Sequence, residues 1–224
     1  MVVGVKPVDT SQDEVKNAAI KSGGLTKKLI IESVIAVEKG YVNNKDDRGG
    51  ETNFGITKAV ADENAVWLKS QFKWDGTMRN LSYDMAYAIY EKKYWTPLRL
   101  DDIAKRHIFL ADKLFDISVN CGTGKAGIWL KTLLNVFNYK GTYYKDIDAT
   151  TGFVGDLTIQ SLDALIAKRG NTATVKTLLG GLVSQQGAHY VSISVSREDN
   201  ETFTWGWMSD RLYHHLGLYF SSLK

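Results

Sequence analysis

The stretch LTKKLIIESVIAVEKGYVNNKDDRGGETNFGIT, residues 25–57, decides how the rest of this chain is read. Its first half carries apolar residues at Leu25, Leu29, Ile30, Val34 and Val37. That is helical spacing, and Gly40 stands where a helix C-cap is expected. From Tyr41 to Ile56 the helical period is lost, and three glycines and three carboxylates crowd into the segment. Such a stretch reads as a loop or small hairpin between helices. A helix, a polar Gly-rich turn and then Thr57 as the next N-cap predict a mainly α protein with one small hairpin near residues 41–57.

The remainder of the chain repeats the helical signal. Ser82 is an N-cap candidate ahead of Met85, Ala86, Ile89, Tyr90, Tyr94 and Trp95 at helical spacing. Leu110, Leu114, Ile117 and Cys121 share one helical face, and Ile128 to Phe137 predicts another helix. Asp148 to Gly155 is a turn-rich connector before a helix over Leu157 to Ala167. Val175 to Val195 and Trp205 to Phe220 predict two last long helices. Residues 1–24 read as a polar arm holding at most one short helix, and strand signals are otherwise scarce. The organisation expected is this arm, a region over 25–120, and a helical region over 121–224 packed on it, with no Pro/Ser-rich linker between.

Composition sets bounds on class. The 224 residues are 44% hydrophobic with only two prolines, enough for real cores and against disorder. A lone cysteine, Cys121, excludes an intramolecular disulfide, as in proteins made in a reducing compartment. The first 14 residues lack the basic-then-apolar pattern of a secretory signal. No apolar run approaches the roughly 18 residues that span a bilayer. Net charge is +3, a mild bias compatible with an acidic polymer. There is no basic block interleaved with aromatics, so no nucleic-acid partner is expected.

Chemistry concentrates around Glu38. In the last turn of an apolar helix, a carboxyl sits near the negative end of the helix dipole and is partly desolvated. Both effects raise its pKa and keep it protonated, as proton donation to a glycosidic oxygen requires. The loop that follows supplies Asp46, Asp47, Glu51, Thr52 and Asn53. One of these could position a water or stabilise an oxocarbenium-like transition state. The residues alone are equally consistent with a solvated Glu38 beside a plain surface turn, and with Asp46 and Asp47 closing that turn or pairing with Arg48.

The segment from Val37-Glu38-Lys39-Gly40-Tyr41 to Gly49-Gly50-Glu51-Thr52-Asn53-Phe54-Gly55-Ile56-Thr57 closely resembles the signature of glycoside hydrolase family 108, a family of phage and bacterial lysozymes. Lys39 replaces a glycine of that signature. Further matches fall at Ala88-Ile89-Tyr90 to Trp95 and at Phe115-Asp116 to Asn120-Cys121-Gly122. Trp129 to Asn135, Gly152-Phe153-Val154-Gly155, and Gly206-Trp207 with Arg211 resemble a peptidoglycan-binding module. The expected Asp is not directly before Gly152. The resemblance implies a lysozyme-like α+β fold with a helical C-terminal lobe and catalysis by Glu38. It implies Asp47 and Thr52 as candidates for the second catalytic group; Glu51, nearer to Thr52 but at a position where relatives do not all carry an acid, is a further candidate, and Tyr41, Asn53 and Asn120 are expected to bind substrate.

The activity so implied is that of an endolysin hydrolysing the β-1,4 bonds of peptidoglycan, without cofactor or metal, as a monomer with no stable membrane insertion. Such a protein would wait in the host bacterial cytoplasm until released to act on the wall in the periplasm. The rivals are a lytic transglycosylase using the same Glu and a non-catalytic wall-binding component.

Other patterns are weaker. Gly122-Thr123-Gly124-Lys125-Ala126-Gly127 matches a dinucleotide fingerprint, but the residues before it have helical rather than strand spacing. A Gly-rich turn between two helices is the better reading. His107, His189, His214 and His215 have no metal-ligand spacing. Cys121 reads as a core thiol, and Trp205 and Trp207 as candidate sugar-stacking platforms.

Overall fold

The computed structural model describes residues 10–37, 40–43 and 50–223. Glu38, Asp46 and Asp47 therefore lie outside the described residues. The fold is mainly α, a lysozyme-like arrangement with one small antiparallel sheet.

Residues 10–22, expected to hold at most a short helix, form α1 (Thr10–Ser22), whose Ala19 and Ile20 enter the core. Helix α2 (Lys27–Val37) follows, with Ile30, Ile31 and Ile35 almost wholly buried. Strands β1 (Val42–Asn43), β2 (Glu51–Asn53) and β3 (Ile56–Thr57) make a three-stranded antiparallel sheet in chain order. Thr52 pairs with Val42 on one side and Thr57 on the other. The β2–β3 turn passes through Phe54 and Gly55, both at positive φ. Thr57 then caps α3 (Lys58–Glu63), its side chain accepting from the Val60 N–H, and α4 (Ala65–Phe72) comes next.

Ser82 caps α5 (Tyr83–Tyr90) in the same manner. That helix runs into a π-helical turn over Glu91–Trp95. Pro97 supplies the reason, since it has no N–H to offer the carbonyl of Lys93 four residues back. The Thr123 hydroxyl donates to that carbonyl instead, at 3.2 Å. Trp95, at the end of the turn, is fully buried.

After α6 (Leu100–Arg106) comes the centre of the molecule, α7 (Ile108–Cys121). Leu110, Leu114 and Ile117 are buried as their spacing predicts, and so are the charged residues Asp112, Lys113 and Asp116. A single residue, Gly122 at φ +94°, joins α7 to α8 (Thr123–Phe137). The expected Gly-rich turn is thus one residue long, and Gly124 and Gly127 belong to α8. Their smallness serves packing. A Cβ on Gly127 would stand 1.9 Å from the Gly152 carbonyl oxygen, and one on Gly152 would stand 2.4 Å from the Gly124 Cα.

Helices α9 (Asp156–Arg169) and α10 (Asn171–Ser196) follow. The last run is α11 (Glu201–Gly206), a π-helical stretch over Trp207–His214, and α12 (His215–Ser222). α12 packs on α1, and α10 packs on α7 and α8. One apolar cluster extends from Ala19 to Leu223, so its side chains come from nearly the whole described chain. Among the described residues, no helix is long and apolar enough to cross a membrane.

Candidate functional site

A cavity of about 1450 Å³ opens between the sheet end of the molecule and the C-terminal helices. On one side it is lined by Ser33 and Val34 of α2 and by Gly55, Ile56 and Thr57 around β3. Tyr94 of the π turn and Asp116 and Asn120 of α7 form its floor. Tyr190 of α10, with Trp207 and Arg211 of the last helical run, closes the far side.

The predicted site residues divide between two places. Asn120 lines the cavity; among the described residues, Tyr41, Glu51, Thr52 and Asn53 are not part of its lining. Tyr41 donates its hydroxyl to Glu51 Oε1 at 2.7 Å, and Asn43 donates to the same oxygen at 3.4 Å. The Arg79 guanidinium lies 4.1 Å over the Tyr41 ring, a cation–π contact that closes this outer face of the sheet. Glu51 and Tyr41 therefore hold the chain just beyond α2 against β2. Thr52 is half-buried between its two strand neighbours. Asn53 is buried, its amide donating to the carbonyls of Met78 (2.8 Å) and Leu81 (3.2 Å). It ties the sheet to the segment ahead of α5.

The cavity floor carries a buried ionic network. Asp116 Oδ2 accepts from Lys113 Nζ at 2.9 Å and from Gln186 Nε2 at 3.0 Å. Its Oδ1 accepts from Asn120 Nδ2 at 2.9 Å and lies 3.5 Å from Arg211 Nη1. Arg211 Nη1 in turn donates to Asn120 Oδ1 at 2.6 Å. One turn back along α7, Asp112 pairs with Lys16 at 2.7 Å and accepts from the Tyr219 hydroxyl at 2.6 Å.

Burial alone would raise the Asp116 pKa. Lys113 and Arg211 outweigh it and hold this carboxyl well below the usual range. Burial, followed by the charge of Asp116, raises the Tyr190 phenol, while Gln186 donates to its oxygen at 2.8 Å. Burial and then Lys16 push His215 well below the usual histidine range. The residue as a whole is partly exposed, but its ring Nδ1 is buried without a partner. All of these groups are therefore in fixed charge states near neutral pH, Asp116 ionised and Tyr190 and His215 neutral.

Sequence reasoning quoted Asp116 as part of a motif but did not find this network. The signal was there: three charged residues at 112, 113 and 116 inside an otherwise apolar helical pattern, which must find partners once buried. Of the two tryptophans considered for stacking, Trp205 is 84% exposed, whereas Trp207 is buried against Tyr190 and Phe203. Burial pushes the Cys121 thiol up to about 11, so it is protonated near neutral pH and a poor nucleophile. Among the described residues, no three His, Cys, Asp or Glu side chains converge as a metal site would require.

Residues 31–122 match the family model Glycosyl hydrolase 108. The match implies a glycoside hydrolase. It takes in the second half of α2, the sheet, the π turn and α7, and ends at Gly122, the residue that joins α7 to α8. The cavity's far side thus comes from residues beyond it. The fold is similar to that in the solved structure of Brucella abortus SagA, with 19% identity and a TM-score of 0.56. That likeness covers 89% of this chain and 98% of the other. No curated protein matches the chain.

Proposed function

We propose that the chain is a lysozyme-type endolysin that cleaves the β-1,4 glycosidic bonds of peptidoglycan, with Glu38 as general acid. The observation that carries the reading is the family match over residues 31–122, whose segments supply one side and the floor of the large cavity. Ser33 and Val34 of α2 face that cavity, and Glu38 follows this helix in the sequence directly after Val37. A carboxylic acid beyond a helix C-terminus is disposed to keep its proton, which is what a leaving glycosidic oxygen needs. Water is the acceptor in this reading. Asp47, Glu51 and Thr52 are its candidates for holding that water or the developing positive charge.

Residues 121–224 would act as the wall-binding half, packed on the catalytic half over 25–120, and the protein would work as a monomer released from the cytoplasm to the wall. The test is Glu38→Gln beside Asp47→Asn and Glu51→Gln in a wall-clearing assay. Loss of the proton donor should lower the rate about a thousandfold or more, ~4 kcal/mol of transition-state stabilisation. A Glu38→Gln protein that keeps a tenth of the wild-type rate would remove Glu38 from the mechanism. Product masses separate hydrolysis, which adds water, from a transglycosylase that leaves an anhydro end.

A further inference from the structure

Arg211 keeps much of its hydrogen-bond donor capacity unused among the described residues. Its Nη1 is occupied by Asn120 and approaches Asp116, while its Nε and Nη2 donate to no described residue. Its side chain is 29% exposed and lines the cavity where a substrate would lie.

The charge balance points the same way. Asp112 is neutralised by Lys16 and Asp116 by Lys113, so Arg211 is a third cation against two carboxylates, with His215 neutral. Elsewhere on the described lining, Lys93 pairs with Glu63 and Arg197 with Asp199. With Asp116 set against Lys113, which is buried behind the lining, Lys125 and Arg211 remain against Asp210 alone. A planar guanidinium with two free donors, pre-oriented by an amide and in surplus charge, is a receptor for a carboxylate.

We infer that Arg211, held in place by Asn120, receives a carboxylate carried on the aminosugar chain, so that the C-terminal wall of the cavity selects substituted glycan over the bare polymer. This rests on the glycan-cleaving reading above. The aminosugar backbone itself is neutral. Where a peptide stem is attached the lactyl carboxyl is an amide and the carboxylates are the stem's; where it is not, the lactyl ether carries a free carboxylate, and both present the same chemistry to Arg211.

The experiment compares kcat and KM on three oligomers of equal length: peptidoglycan with stems intact, peptidoglycan with stems removed so that only the lactyl carboxylate remains, and chitin. The intact wild-type protein should prefer a carboxylate-bearing oligomer over chitin, and the first two arms show which carboxylate is read. Arg211→Gln should reduce that preference about tenfold to a hundredfold, through KM rather than kcat, as expected for a charge-assisted fork of hydrogen bonds. Arg211→Lys keeps a counter-charge for Asp116 and loses the fork. It should lose several-fold of the preference, and it carries the test if Arg211→Gln does not fold. An unchanged preference in Arg211→Lys, or equal rates on chitin and substituted glycan by wild type, would overturn the inference and leave the cleavage reading intact. Failure of wild type on all three oligomers would overturn both.

Discussion

Replacing Gly127 by alanine sets two effects of opposite sign against each other. Gly127 lies inside α8, and in a helix interior alanine is favoured over glycine by about 1 kcal/mol. Against that, the new Cβ would stand 1.9 Å from the Gly152 carbonyl oxygen and 2.7 Å from its carbon. Ordinary carbon–oxygen contacts begin near 3.3 Å, so the connector must retreat by roughly 1.4 Å. The obstacle is backbone, which has no rotamer to change. Val154, two residues on, is fully buried, so a retreat also disturbs apolar packing. Overpacking of this kind costs about 1–3 kcal/mol, and partial loss of a buried valine adds about 1. The steric side wins. The expected net loss is about 1–3 kcal/mol, a fall in Tm of roughly 2–12 °C for a chain of this size. Gly180→Ala in α10 is the control: nothing lies within 4 Å of its Cβ, so it should gain up to about 1 kcal/mol. Both are read by calorimetric or circular-dichroism melts. A Gly127→Ala protein that melts at or above wild type would refute the close approach of the connector to α8.

Two further outcomes follow from the buried network. His215 stays neutral in the fold, whereas an unfolded chain takes up a proton below about pH 6.5. Its lowered pKa therefore makes stability decline as pH falls from that point, by up to ~1.4 kcal/mol per pH unit. Asp116, with its pKa depressed, adds its own loss only below about pH 4. Urea midpoints between pH 6.5 and 5 should decline less steeply in His215→Gln, and equal slopes would remove His215 as the cause. A fragment ending at Asn120 strips Asp116 of Gln186 and Arg211, and Asp112 of Tyr219. It should be insoluble or lack a cooperative melt on calorimetry; a soluble fragment that melts cooperatively and clears cell walls would show two independent units.

Local signals were legible in the sequence. Thr57 and Ser82 cap helices where the polar residue precedes an apolar period, and the apolar face of α7 is read directly from Leu110, Leu114 and Ile117. The region after Gly40 was read as irregular or hairpin, and it holds the three short strands. The role of glycine after Cys121 was less legible. Spacing alone suggests a turn, but Gly127 is small because Gly152, 25 residues away, passes against it. Nor could spacing show that Asn53 turns inward to the Met78 and Leu81 carbonyls while Asn120 faces the cavity. Both are asparagines in quoted motifs, and their difference arises from which carbonyls the fold brings near.

The charged face of α7 explains why the cavity needs the whole chain. Asp112, Lys113 and Asp116 are all buried, and an unpartnered buried charge costs several kcal/mol. Lys113 and Asp116 pair with each other within α7, but their further partners and those of Asp112 come from residues 16, 186, 211 and 219, drawn from both ends of the sequence. The charges are stable inside only once α1, α10 and the last helical run have closed over them. Those same elements bring Tyr190, Trp207 and Arg211 to the cavity's far side. Folding and completion of the cavity are therefore one event. Asn120 holds Arg211 by its Nη1, a contact that exists only in the finished molecule and that lowers the cost of ordering this side chain if an anionic group binds there as inferred above.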